Sequence, residues 1–197
     1  MGVAGERIRA VEARISKNEY ETAVAFDLKG NVLFEKIGIE DEVGFTLGEL
    51  SQLKGNILTH NHAYNHVLED FGIVNTSAFS SDDLIIAYQQ GLQEARMVIG
   101  NETHIFQWNN PQKRAAEHFF YNMDILEREY NESINAAKEK ANIAINEADN
   151  NPTLQNEEAM EKAVIEFFKV QNSQADKINE FISSNQHIGY VFRKERV

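Results

Sequence analysis

Between Ala116 and Ala148 apolar side chains recur every three or four residues, at Ala116, Phe119, Met123, Leu126, Tyr130, Ile134, Ala137, Ala141, Ala144 and Ala148. A seam of that period, sustained for roughly ten turns, is a helix too long to be swallowed by a small domain, and it dictates the architecture of this part of the chain. The run from Asp149 to Pro152 interrupts it. A second helical stretch of about 154–183 carries Met160, Val164, Phe167, Phe168, Ile178, Phe181 and Ile182, so the two helices are expected to pair as an antiparallel hairpin. Asn110-Pro111 supplies an N-cap and a proline suited to the first helical position. Such a seam reads as packing rather than as a cofactor site. At 1.5 Å per residue, helices of about 30 to 37 residues reach roughly 45 to 55 Å, so most of the hairpin is expected to project beyond the remaining domain. Phe119, Phe120, Phe167 and Phe168 add apolar surface outside a narrow seam, which predicts a homodimer formed through the hairpin.

The residues before the seam follow a different period. Ile8, Val11 and Ile15 stand at helical spacing between Arg7, Arg9, Glu12 and Arg14, which predicts an amphipathic helix over about 3–17 lying across a sheet. From Tyr20 to Phe26 the spacing changes to two, Asp27 to Gly30 turns the chain, and Val32-Leu33-Phe34 returns it as a hairpin. Val43-Gly44-Phe45 reads as a further short strand, and Thr46 with Glu49 as a capping box for one or two helical turns ending near Gly55. Asn56 to Thr59 reads as a buried strand, and a helix of about 82–93 follows with Ser80 or Ser81 as its cap. Strands at 95–99 and 103–108 complete the unit, and His187 to Phe192 is placed back in the same sheet. The expected fold is therefore α/β (α+β), a small mixed sheet flanked by helices with the long helical hairpin inserted. The divisions are an α/β domain over 1–110, the hairpin over 111–184, and a returning C-terminal strand over 185–197.

Composition narrows the chemistry. Among 197 residues there is no cysteine, so thiolate zinc sites, disulfides and a cysteine nucleophile are excluded, and histidine and carboxylate remain as ligands. With 31 acidic against 19 basic side chains the net charge is -12, which opposes a nucleic-acid partner through long-range repulsion. No run approaches the length of a membrane span and no apolar leader core is present, which predicts a protein of the bacterial cytoplasm or of a virion. No Gly-rich phosphate loop and no Gly-x-Ser-x-Gly elbow occurs.

Against that background Thr59-His60-Asn61-His62 and Phe79-Ser80-Ser81-Asp82-Asp83 stand out. His60 and His62, two apart at a strand end, point to one side and can grip one ion, while Asp83 arrives from the first turn of the following helix. Two imidazoles and a carboxylate suit zinc, and three protein ligands leave the fourth tetrahedral position to water, as in a catalytic site. Asp82 is the alternative third ligand. Ser80 either caps the helix or donates to a developing oxyanion. The loop residue His66 reads as a surface histidine, with an approach to the same site as the alternative, whereas His104, His118 and His187 have no partner spacing.

The constellation resembles the JAMM (JAB, MPN+) metalloprotease motif, in which a Glu precedes a His-x-His-Pro segment and a Ser-x-x-Asp follows. Further stretches extend the likeness: Arg9-Ala10-Val11-Glu12-Ala13-Arg14-Ile15, Tyr20-Glu21-Thr22-Ala23-Val24-Ala25-Phe26-Asp27, Gly30-Asn31-Val32, Ile57 to His62, and Glu94-Ala95-Arg96-Met97-Val98. Over its first 108 residues the chain is similar to the JAB-like domain of phage minor head and mobile-element proteins. Ala63 stands where the family has proline, and 17 residues separate His62 from Ser80. The resemblance implies a zinc-dependent hydrolase of peptide or isopeptide bonds, acting on a peptide or protein substrate. Its metal ligands would be His60, His62 and Asp83, its general base Glu21, and its hydroxyl donor Ser80. Glu19 has the same strand parity as Glu21 and is the alternative base. The other implied reading is a catalytically inactive JAB-like module kept as a structural part of a phage head protein. In either case the metal site is expected to be self-contained in the α/β domain.

Overall fold

In a computed structural model of the chain, residues 2–39, 42–64, 73, 76–109 and 111–196 are described. His66 and the expected Asn110 cap lie outside them. The chain runs α1 (Val3–Ile15), β1 (Thr22–Phe26), β2 (Val32–Ile37), α2 (Leu47–Ser51), β3 (Ile57–Asn61), α3 (Ser81–Gln90), β4 (Glu94–Ile99), β5 (Glu102–Trp108), α4 (Lys113–Asn150), α5 (Leu154–Ser184), a 3-10 turn at Gln186–Ile188, and β6 (Tyr190–Arg196). None of these helices is long and apolar enough to cross a membrane, among the described residues.

β1 is buried along its whole length because both faces are covered. Val24 and Phe26 meet Ile8 and Ile57 under α1, while Ala23 and Ala25 turn to the larger core on the opposite face. The turn into β2 is held by the Asp27 carboxylate, which accepts the N–H groups of Lys29 and Asn31 at 2.8 and 2.9 Å. Gly30 follows at φ 77°, with Ala4 packed so close that a Cβ would lie 2.8 Å from its Cα. Six strands form one mixed sheet in the order β2-β1-β3-β4-β5-β6. Every neighbouring pair is antiparallel except β3 and β4, whose parallel pairing requires the crossover that α3 provides. β6 lies beside β5 at the edge, with Trp108 opposite Tyr190, so the hairpin is inserted between two adjacent strands as the sequence implied.

The base of the hairpin is part of the core. Phe119 and Met123 of α4 and Ile178 and Ile182 of α5 join Phe79, Phe106 and Tyr190, and Trp108 sits among five rings at centroid distances of 4.9 to 6.1 Å. Farther out the packing thins. Between Asp124 and Gln174 only Ala141 and Ala148 are buried, so over that span each helix is covered by little besides the other.

Some boundaries and one polarity differ from the expectation. Glu12, expected on the wet face of α1, is fully buried, because Arg96 of β4 waits beneath it. Arg96 Nε donates to Glu12 Oε1 at 2.7 Å, and the hydroxyls of Thr59 and Thr103 also donate to the carboxylate. Val43 to Phe45 is not a strand. Its side chains lie over the sheet face instead, with Phe45 edge-on to Phe34 at 6.1 Å. Pro111 is not the first helical residue of α4: the chain still runs beside β6 there, Asn109 N–H donating to Gly189 O, and the helix is entered from Gln112. α3 ends at Gln90 because Gly91 adopts the left-handed conformation that stops a helix.

Candidate metal centre

Strand alternation places the first ligand. Along β3, Leu58 and His60 face the large core, while Thr59 faces Glu12 on the α1 side. His60 stands in one cross-strand row between Ala23 of β1 and Met97 of β4. The small Ala23 leaves the imidazole room. His62 follows just beyond the strand, its N–H donating to Val98 O at 3.3 Å, which extends the ladder and returns its ring to the same side as His60. The ring centroids are 5.0 Å apart. Between them Asn61 faces the other way, accepting Thr22 N–H at 2.8 Å and donating to Tyr20 O at 3.0 Å. Those two bonds tie the segment that carries Glu21 to the end of β3.

The second element is the N-terminus of α3. Ser80 is the N-cap, and it forms a reciprocal box with Asp83: Asp83 N–H donates to Ser80 Oγ at 3.1 Å, while Ser80 N–H and Oγ–H donate to Asp83 Oδ2 at 2.9 and 2.8 Å. This box aims the carboxylate at the histidines. Asp83 Oδ1 lies 3.3 Å from His60 Nε2, and Oδ2 lies 3.7 Å from His62 Nε2. Glu21 Oε1 lies 3.9 Å from His62 Nε2.

His60, His62 and Asp83 can hold a metal ion. Each offers one ligand atom, and the three atoms lie within 4.8 Å of one another. Donors about 2.1 Å from a tetrahedral zinc sit about 3.4 Å apart, close to the 3.3 Å between His60 Nε2 and Asp83 Oδ1. His60 Nε2 adds a second argument, since it is buried with no hydrogen-bond partner among the described residues. A buried polar atom left unpaired is costly, and a cation at that spot would satisfy it.

The electrostatics are those of a cationic site. Burial disfavours a charged His60, but the negative charges of Asp83 and Glu21 outweigh it, so its pKa is raised. Burial likewise works against an ionised Asp83, yet His60 and His62 hold it well below the ordinary carboxylate range. Three carboxylates therefore gather around two imidazoles, counting Asp82 at the rim.

All five residues singled out in the sequence line one cavity of about 550 Å³, which Val43, Phe45, Ile85 and Ile86 also line. Asp82 borders it but is exposed and stands outside the metal-binding trio. Glu19 is exposed and is not part of the wall, which favours Glu21. Ser80 is first of all a cap. Its proton already goes to Asp83 Oδ2, so stabilising an oxyanion would require that bond to break. His104 is buried one strand beyond Met97, and its pKa is pushed down to about 4 by burial and by Lys194, against Glu102. His118 pairs with Asn122 on the exposed side of α4, and His187 lies in the 3-10 turn.

Three contacts have no signal in the sequence. Ser77 Oγ meets His62 Nδ1, Asn179 Nδ2 of α5 donates to Ser77 O at 3.0 Å, and Glu127 of α4 accepts both the N–H and the hydroxyl of Ser81 at 2.7 Å. The ligands come from the α/β domain, but the hairpin braces their neighbours.

Fold and site together define an α/β chain with a His-His-Asp group able to hold a metal ion at one end of its sheet. Comparison with protein-family models, with curated proteins and with solved structures finds no match.

Proposed function

We propose that the chain is a zinc-dependent hydrolase of peptide or isopeptide bonds, of JAMM type, with His60, His62 and Asp83 as ligands and Glu21 as the general base. The observation that carries this reading is the position of Glu21: its carboxylate reaches within 3.9 Å of His62 Nε2 yet stands outside the three-residue ligand group. A zinc ion at that group supplies Lewis acidity, polarising a carbonyl and bringing the pKa of water to roughly 7. Glu21 takes the proton that water gives up as it attacks, and then delivers it to the leaving amine as the C–N bond breaks. Asp83 and His60 keep the ligand geometry rigid, Asp83 through the Ser80 box and His60 through its place within the sheet. The cavity walls Val43, Phe45, Ile85 and Ile86 suit an apolar side chain next to the scissile bond, which supports a peptide substrate.

The test is Glu21→Gln on the zinc-loaded chain, assayed with peptide and isopeptide substrates. The variant is expected to keep the metal and lose hydrolysis, because the amide preserves shape and removes the base. Metal binding with no hydrolysis by the wild type would leave the inactive structural module as the surviving reading.

A further inference from the structure

A histidine that binds a metal through Nε2 must carry its proton on Nδ1, and that N–H needs an acceptor if the ring is to stay in one orientation. His60 is fixed inside the sheet, between Ala23 of β1 and Met97 of β4. His62 lies just beyond the strand, where the N–H bond to Val98 O holds its backbone but not its ring. The group at its Nδ1 is Ser77 Oγ. Ser77 is not held by the sheet either: it precedes α3 in an irregular segment, and its carbonyl accepts Asn179 Nδ2 at 3.0 Å. The adjacent Thr76 donates to Asn172 Oδ1 at 2.7 Å, about two turns earlier on α5.

Asn179 is an odd residue for its position. It is 5% exposed and shares its stripe of α5 with Ala175, Ile178 and Ile182, all core residues. Asparagine is a poor helix former, and its buried Oδ1 has no hydrogen-bond partner among the described residues. Packing alone would favour leucine there, since burying an unpaired amide oxygen is destabilising. What the residue does provide is the one bond to Ser77.

We infer that Ser77 is the positioning residue for His62, and that Asn179 of the inserted hairpin holds it there, so that metal affinity depends on how the base of the hairpin is docked. The inference rests on the metal-site reading. It makes the hairpin part of the machinery that loads the metal: a displacement of α5 by one hydrogen bond's length would free Ser77 and let the His62 ring turn its Nε2 away.

The experiment titrates zinc and cobalt(II) into the full chain and into Ser77→Thr, Ser77→Val and Asn179→Leu, with thermal unfolding of each metal-free protein alongside. Thr and Val have the same shape, so the comparison isolates the hydroxyl even if both disturb the loop equally. Ser77→Thr is expected to bind as the wild type, and Ser77→Val about 10- to 100-fold more weakly, the usual loss for an outer-shell partner. Asn179→Leu is expected to bind more weakly while its metal-free form unfolds no earlier than the wild type, a split that a purely structural asparagine would not give. In zinc-loaded protein the exchangeable Nδ1–H of His62 should be protected in the wild type and in Ser77→Thr, and lost in Ser77→Val. Equal affinity of the Thr and Val variants, or wild-type affinity with Asn179→Leu, would overturn the inference while leaving the metal site intact. A wild type that takes up neither metal would overturn the metal site itself, before any variant is compared.

Discussion

His60 Nε2 and Asp83 Oδ1 lie 3.3 Å apart, deep at the end of the sheet, without forming a hydrogen bond. Two groups that attract each other at that distance but are not aligned for a proton between them could both be satisfied by a metal ion. Asp83 cannot swing to improve the angle, because Ser80 holds its other oxygen with two bonds. His60 cannot either, being fixed within β3 between Ala23 and Met97.

The chain is expected to bind about one zinc ion, and His60→Ala with His62→Ala to abolish binding, since a lone carboxylate is a weak zinc ligand. Elemental analysis of protein purified without chelator checks this. An absence of transition metal after zinc addition would sink it.

The same pair sets a pH dependence for the metal-free chain. The folded pKa of His60 is raised, so its contribution to stability is full below its ordinary value of 6.5 and is lost as pH rises through the folded value. Asp83 is depressed, so its contribution is present above the ordinary 3.8 and is lost as pH falls through its folded value. In chelator the melting temperature should therefore be highest between those two ordinary values, and Asp83→Asn should flatten its decline on the alkaline side. With zinc added the alkaline decline should reverse, because ligation needs a neutral His60. Identical melting profiles for Asp83→Asn and wild type would refute the pairing.

Glu12→Ala is expected to destabilise the fold by about 3 to 5 kcal/mol, the usual cost of stranding the partner of a buried ion pair. Arg96 would keep Glu94 at 2.8 Å but lose both bonds to Glu12. Zinc affinity should not change, since the pair lies on the opposite face of the sheet from the ligands. Urea unfolding measures the first and metal titration the second; a loss below about 1 kcal/mol would place the pair with weak surface bridges.

Removing residues 131–170 and joining the stubs with a short Gly/Ser linker should leave the fold and the metal site intact. Tyr130 faces Lys177 across the hairpin, so the cut ends are near each other, and Phe119, Met123, Glu127, Asn179 and Ile182 all remain. Excising the entire hairpin is a different experiment, since it strips five buried residues, Phe119, Met123, Ala175, Ile178 and Ile182, from the main core. By light scattering the full chain is expected to be a dimer and the shortened one a monomer, with the exposed Ile143 and Leu154 among the apolar surface removed. A monomeric full chain would refute the dimer.

What the sequence disclosed was local. His60 and His62 share a side because their spacing matches the strand period, and Asp83 follows Ser80 by the three residues that a capping box needs. The seam of α4 shows in its period, and the returning strand shows in the short run from His187 to Phe192. What stayed hidden depends on distant partners. Nothing around Glu12 signals burial, since the charge that permits it is Arg96, 84 residues away. Asn179 looks like a surface residue of a long helix until Ser77 is brought against it from 102 residues off. Val43 and Phe45 alternate like a strand, but their alternation serves the face of a sheet already built.

The pairing of Trp108 with Tyr190 also orders the birth of the fold. While the chain is being synthesised, β5 is finished long before its neighbour exists, and it waits as an open edge with aromatic side chains uncovered, the kind of surface on which nascent chains aggregate. Closing so long a loop at random is slow, but the intervening segment is two helices that zip together through contacts local to each other. Their pairing carries the start of β6 back to the end of β5. The hairpin thus acts as an assembly jig, and substitutions that weaken its distal seam should lower the yield of folded protein more than they lower the stability of what does fold.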